Sequence, residues 1–251
     1  MTRADAKKRL YSVYAETMGH QPQMLERVLW HHDHFWRRLL PPGKDTPILE
    51  IGCGDGFFLL YLKQKEFTAL HGVDGSPDQV AAAHKAGLDQ VVCGQALEYL
   101  ARYDAYFGVV SAQNLLEHLA LEELFPLLDA THKALRKGGE LWIVVPNGLS
   151  PVGTTVRYSD LTHETCFTPQ SIIQALRVCG FTNVRVREFG TPIVHGPVSL
   201  VRFALWRIIR SFLHLWRLVE FGEVGPAAVF THDMQVIATK NETTSLTGVS
   251  E

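Results

Sequence analysis

Ile48-Leu49-Glu50-Ile51-Gly52-Cys53-Gly54-Asp55-Gly56-Phe57-Phe58 decides the fold of this chain. The first four residues read as a short buried strand, the glycines as a tight turn, and the residues from Gly56 as the start of a helix. Glycines at 52, 54 and 56 remove three Cβ atoms where the backbone turns sharply and a ligand can touch it. The helix that follows presents unpaired N–H groups to a carboxylate or phosphate. A nucleotide-like ligand at the end of this strand is the expectation.

Outward from that stretch, strand-like and helix-like blocks alternate. Strands are expected at Ile48–Ile51, Leu70–Val73, Gln90–Val92, within Asp104–Ser111, at Glu140–Val145, Asn183–Phe189 and Asp233–Thr239. Helices are expected at Gly56–Lys65, Pro77–Ala86, Leu121–Leu135 and Thr168–Val178, the last capped by Thr168, with Pro169 at its first position, and ended by Gly180. This alternation predicts a mostly parallel sheet with helices on both faces, and ligands at the C-terminal strand ends. Residues 5–40 read as helical up to the Pro41-Pro42-Gly43 break, with Tyr11 and Tyr14 placed to close over a ligand or to pack.

The chain has 251 residues, enough for one large α/β domain, and a formal net charge of −2, which argues against wholesale nucleic-acid binding. Its four cysteines, Cys53, Cys93, Cys166 and Cys179, form no CxxC pair, so zinc-ribbon and redox-motif readings have no support. No signal-like or membrane-spanning stretch is found, and a cytoplasmic protein, or one at the inner face of the membrane, is expected.

A dinucleotide fingerprint, G-x-G-x-x-G, fails because Phe57 stands at its last position. Asp74 closes the second strand, 18 residues after Gly56, where a carboxylate can accept both hydroxyls of a ribose. The blocks E-I-G-C-G-D-G-F, V-D-G-S, Asn114-Leu115-Leu116-Glu117-His118-Leu119 and L-R-K-G-G-E-L-W-I together resemble the class I S-adenosylmethionine-dependent methyltransferases over roughly residues 45–240. That resemblance implies a Rossmann-like, seven-stranded, mostly parallel sheet with an antiparallel last strand. It also implies S-adenosyl-L-methionine as cofactor, with Glu50, Gly52, Gly54 and Gly56 on the methionine side and Asp74 and Gly75 at the ribose. Asn114 and Leu115 then lie beside cofactor and acceptor. Gln95 stands where many relatives carry the aspartate that meets the adenine amino group.

The division expected is an N-terminal helical lid over 1–42, a methyltransferase domain over 43–240 and a tail over 241–251. A helical insertion falls at about 192–228, between the last two strands. Within it Arg202, Arg207, Arg210, His214 and Arg217 project to one side and Leu200, Val201, Phe203, Leu205, Ile208 and Phe212 to the other. A membrane interface through 199–219, a homodimer partner, and the domain's own surface are the readings open for it.

His163 is the first candidate for a general base, because its loop follows the fifth strand and resembles the D-x-T-H-x-x-x-F-T loop of methyltransferases associated with glycan and secondary-metabolite pathways. Tyr158, Asp160 and Asn147 are the candidate acceptor contacts. His118 competes with His163: Glu117-His118 resembles the E-H pair of ubiquinone-pathway O-methyltransferases and of small-RNA 2′-O-methyltransferases that hold a divalent metal. Here Asn114 replaces the first glutamate of that motif, so a metal on Glu117, His118 and His163 is not favoured. His31-His32-Asp33-His34 reads as part of an interfacial or lid helix. The expected reaction is O-methylation of a sugar or glycan hydroxyl, on a free or lipid-linked acceptor. A small aromatic, quinone-precursor or amine acceptor is the alternative, and a non-catalytic cofactor-binding scaffold the reading from another class.

Overall fold

The computed structural model describes residues 5, 9, 10, 25–191, 196–222 and 228–241. Tyr11, Tyr14 and the tail beyond 241 lie outside these residues. The order of elements is α1 (Leu25–Trp36), β1 (Ile48–Ile51), α2 (Phe57–Gln64), β2 (Leu70–Asp74), α3 (Pro77–Lys85), β3 (Val91–Cys93), α4 (Ala96–Leu100) and β4 (Phe107–Gln113). A 3-10 turn at Leu116–His118 is followed by α5 (Leu121–Ala134), β5 (Leu135–Pro146), α6 (Gly153–Tyr158), α7 (Pro169–Val178), β6 (Thr182–Phe189), α8 (Pro197–Phe221) and β7 (Asp233–Thr239).

The seven strands form one sheet in the order β3-β2-β1-β4-β5-β7-β6. β1 pairs in parallel with β2 and β4, whereas β7 runs antiparallel to both β5 and β6. The expected Rossmann-like topology with a reversed last strand is therefore present. The central strands are buried on both faces, as a doubly covered parallel sheet requires. Leu49 and Ile51 point into one core with α5 and α7; Ile48 points into the other with α1, α2 and α3. Glu50 shares the Ile48 side by the two-residue period of a strand.

α1 is held to the second core by Trp36, which is fully buried and stacks on Trp142 at 5.0 Å. α7 has the cap read from sequence: the Thr168 hydroxyl accepts the Ser171 N–H at 3.2 Å, and Gly180 takes the left-handed conformation after the helix. β5 begins earlier than Glu140 because Leu135 already pairs with Phe107. α4 and α6 were not read from sequence; at five and six residues neither shows enough turns for a helical period to register.

Candidate active site

The C-terminal ends of β1, β4 and β5 converge on a cleft of 820 Å³. Glu50, Gly52, Gly54 and Asn114 line one part of it, and Glu117, His118, Asp160 and His163 another. Arg27, Val28, Trp30, His31 and His32 of α1 close a further wall.

Asp74 builds the glycine turn. Its Oδ2 accepts the Gly54 N–H and its Oδ1 the Ser76 N–H, both at 2.8 Å. Each carboxylate oxygen keeps a second lone pair for a hydroxyl. Gly54 sits at φ +53°, and a Cβ there meets nothing closer than Gln79 at 4.0 Å, so its bare backbone faces open cleft. Gly56 is different. Its Cβ would lie 2.3 Å from the Leu88 side chain, so helix–core packing requires this glycine, which is not among the residues that line the cleft. Leu115 is not a cleft wall either: it packs on the turn, 2.8 Å from where a Cβ on Gly52 would be. Gly75 and Gln95 meet at the ends of β2 and β3, beside Asp74 and outside the cleft walls.

Glu50 is buried at the cleft floor, and its Oε2 has no hydrogen-bond partner among the described residues. Burial, then the nearby Asp55 and Asp74 carboxylates, raises its pKa well above the ordinary value. A buried, unpaired acceptor beside an open glycine backbone fits a cationic or amine-bearing ligand such as the methionine part of S-adenosylmethionine.

The opposite side is assembled by a loop stitched to the 3-10 turn. The Glu117 carbonyl accepts the Glu164 and Thr165 N–H groups at 2.7 and 3.0 Å, and the Thr165 hydroxyl donates to the Leu119 carbonyl. This brings the His118 and His163 rings to 4.8 Å between centroids, edge to face. The Thr162 hydroxyl donates to Asp160 Oδ1 at 2.7 Å and lies 2.8 Å from His118 Nδ1. One hydroxyl has one proton; with that proton on Asp160, His118 Nδ1 must be the donor. The ring lone pair is thereby placed on Nε2.

Asp160 therefore acts on the histidines. Burial opposes its charge, but the Thr162 hydroxyl and amide, with His118 and His163, bring its pKa below the usual value. Glu117 behaves oppositely: burial raises it, its own backbone amide offsets part, and Asp233 and Asp160 add to the rise, up to about 8.

One ligand atom from each of Glu117, His118 and His163 lies within 4.8 Å of the others. Two imidazoles and a carboxylate at that separation fit a divalent first-row transition ion better than magnesium or calcium. Buried Glu117 Oε2 and His163 Nδ1 have no hydrogen-bond partner among the described residues, which is consistent with such a ligand set.

Two expected acceptor contacts are corrected. Asn147 is fully buried, and its amide donates to the Val229 and Thr231 carbonyls while its oxygen accepts the Leu149 N–H. Its hydrogen-bonding capacity is taken up in holding the loop before β7. Tyr158 is 71% exposed at the end of α6, outside the cleft, with Arg157 over its ring.

The sequence reading did not single out Thr162, although Asp-x-Thr is the spacing at which an Asp side chain accepts the amide two residues on, as Asp160 does here at 2.8 Å. Nor did it single out His232 and Asp233, which reach the cleft from the start of β7. In α1, His31 and His32 line the cleft and His34 does not.

A methyltransferase-domain family model matches residues 24–186. The chain belongs to that family. Among curated proteins it is similar to a tRNA U34 carboxymethyltransferase of Aeromonas hydrophila, 32% identical over 178 residues. That match takes in 62% of this chain and 52% of the relative, so the chain spans about half the length of the curated relatives it matches. Among solved structures it is similar to an S-adenosylmethionine-dependent methyltransferase from Archaeoglobus fulgidus, with a TM-score of 0.65 and 25% identity over 92% of this chain and 99% of that one. A possible histamine N-methyltransferase from Thermotoga maritima shares the fold, with a TM-score of 0.64 and 18% identity over 92% and 100% of the two chains. S-adenosylmethionine is the cofactor of this family's fold, in agreement with the glycine turn.

Proposed function

We propose that this methyltransferase domain transfers a methyl group from S-adenosylmethionine to a hydroxyl oxygen, on a sugar or glycan acceptor. The observation that carries the reading is the Asp160–Thr162–His118 hydrogen-bonded chain inside the cleft. Bound S-adenosylmethionine supplies an already activated methyl group. The chain's own residues then have two tasks: to align the acceptor in a site screened from water, and to remove its proton.

An alcohol is a poor nucleophile near neutral pH, so a positioned base matters for it more than for a neutral amine. His118, held by Thr162 with its lone pair on Nε2, is that base; the ionised Asp160 stabilises the charge that develops on the ring. His163 packs against His118 and narrows the orientations open to an acceptor. Glu50, Gly52, Gly54 and Asp74 hold the cofactor side. The resemblance of the 158–168 loop to glycan-pathway enzymes supports the sugar class.

A second reading follows from the convergence of Glu117, His118 and His163, which suits a divalent ion able to acidify the acceptor hydroxyl. A tRNA acceptor, suggested by the curated relatives, is a third; the formal charge of −2 gives it no electrostatic support. The test is transfer from labelled cofactor to separated pools of nucleotide sugars, glycolipids, quinone precursors, amines and tRNA. Label in a sugar hydroxyl, lost about 10²-fold or more in His118→Ala, is expected. Label in tRNA or an amine, or a His118→Ala variant that retains its rate, would sink the reading. Activity that survives exhaustive chelation assigns His118 as base; activity lost to a chelator and restored by manganese assigns the metal.

A further inference from the structure

Helix α8 is turned the opposite way from what its composition suggests. The basic side faces the protein: Arg210 pairs with Glu188 at 2.9 Å, and the His214 ring packs on Phe230 at 5.0 Å. Ser199 is the one buried residue of its 25. The apolar side faces out. Val201, Leu205, Ile208, Phe212, Leu215 and Val219 are each more than half exposed. On a helical projection at about 100° per residue they form one arc, which carries no charged side chain. Arg207 borders this arc on one side; Arg202 and Glu220 border it on the other.

At about 1.5 Å per residue the ridge from Val201 to Val219 runs for roughly 27 Å. An exposed apolar face of that length requires a cover. No helix among the described residues is long and apolar enough to cross a membrane, so a lipid-covered α8 would lie along the surface.

We propose that the outer face of α8 docks on an anionic phospholipid surface, with Ile208 and Phe212 in the acyl boundary and Arg202 and Arg207 at the headgroups. Two arginines, Arg202 and Arg207, and one acid, Glu220, border the arc, while Arg210 is paired with Glu188, so the borders carry a net positive charge that complements a negative headgroup plane. Two copies packed through this face would instead bring arginine borders together, with a single acid on each helix to offset them. Trp216, 58% exposed at the edge of the arc with its Nε1–H donating to Glu220 at 2.8 Å, has the amphipathic character favoured at an interface.

The placement matters for the cleft. Arg202, in the second turn of α8, lines it together with Gly190 and Thr191. The docked helix therefore sets the cleft rim at the lipid surface, where an acceptor with an apolar tail is reached without leaving the bilayer. Docking itself does not depend on which acceptor is methylated.

The experiment is flotation of the full chain with vesicles of phosphatidylcholine mixed with phosphatidylglycerol, against phosphatidylcholine alone. The wild type is expected to float with the anionic vesicles and much less with the neutral ones. Arg207→Glu is expected to weaken the association on the order of ten-fold at low salt. Ile208→Glu combined with Phe212→Glu is expected to abolish it while cofactor binding by calorimetry persists, which shows that the cleft remains folded. Quenching of tryptophan fluorescence by brominated lipid gives a second readout on the unaltered protein. Failure of the wild type to float would overturn the proposal. So would a wild-type dimer by light scattering that Ile208→Glu/Phe212→Glu dissociates, since a second copy then covers the face.

Discussion

His118 Nδ1 and Thr162 Oγ1 lie 2.8 Å apart, and the same hydroxyl donates to Asp160 at 2.7 Å. A neutral hydroxyl thus transmits the orienting effect of a buried carboxylate to an imidazole. The tautomer of His118 follows from counting protons along this chain.

Thr162→Val keeps the shape but removes the hydroxyl. The rate of transfer is expected to fall about 10- to 100-fold, as for loss of a group that orients a general base, with little change in cofactor affinity. Thr162→Ser should restore most of it. Steady-state kinetics and calorimetry on the three proteins separate this from a general loss of folding.

The glycines of the turn should divide. Gly56→Ala forces a Cβ against Leu88 at a left-handed φ of +80°, and overpacking with backbone strain is expected to cost about 2–5 kcal/mol of stability. Gly54→Ala meets open space, so its stability cost is nearer 1 kcal/mol, and the larger effect is weaker cofactor binding. Denaturant midpoints and cofactor titration read the two effects.

Glu117 gives the unliganded protein a pH signature. Its carboxyl is pushed up to about 8, from an unfolded value near 4.5, so the folded chain holds a proton that the unfolded chain releases across that interval. Stability then falls as pH rises from about 4.5 to about 8 and levels above it. Glu117→Gln should flatten this slope in thermal melts at pH 5, 6.5 and 8; the part due to Glu50, shifted in the same direction, remains. An unchanged slope in the variant would show that Glu117 is ionised when folded.

Asn147→Ala tests a structural role against a role in acceptor binding. It removes two buried hydrogen bonds and one part-buried one, and strands the Val229 and Thr231 carbonyls and the Leu149 amide. A loss of roughly 2–4 kcal/mol is expected from unsatisfied buried groups, with the acceptor KM little altered. A raised KM with unchanged stability would return Asn147 to the site.

Local order carried much of the fold. Ile48–Ile51 and Asp233–Thr239 coincide with the strands expected from their apolar runs. Thr168 caps its helix as a threonine before a proline should. Each of these follows from neighbours a few residues away, and so is written in one stretch of chain.

The resemblance to S-adenosylmethionine-dependent methyltransferases implied the sheet order and the cofactor; the sequence by itself determined the alternating strands and helices, the glycine turn and the acid at Asp74. It did so because hydrophobic period, turn chemistry and capping act within a few residues. Only the tertiary structure decided what each side chain faces. Gly56 meets Leu88, Asn147 holds the chain before β7, Thr162 reaches His118 across 44 positions, and α8 turns its apolar side outward. Those facts depend on which surfaces meet after folding, which residue type and spacing do not specify.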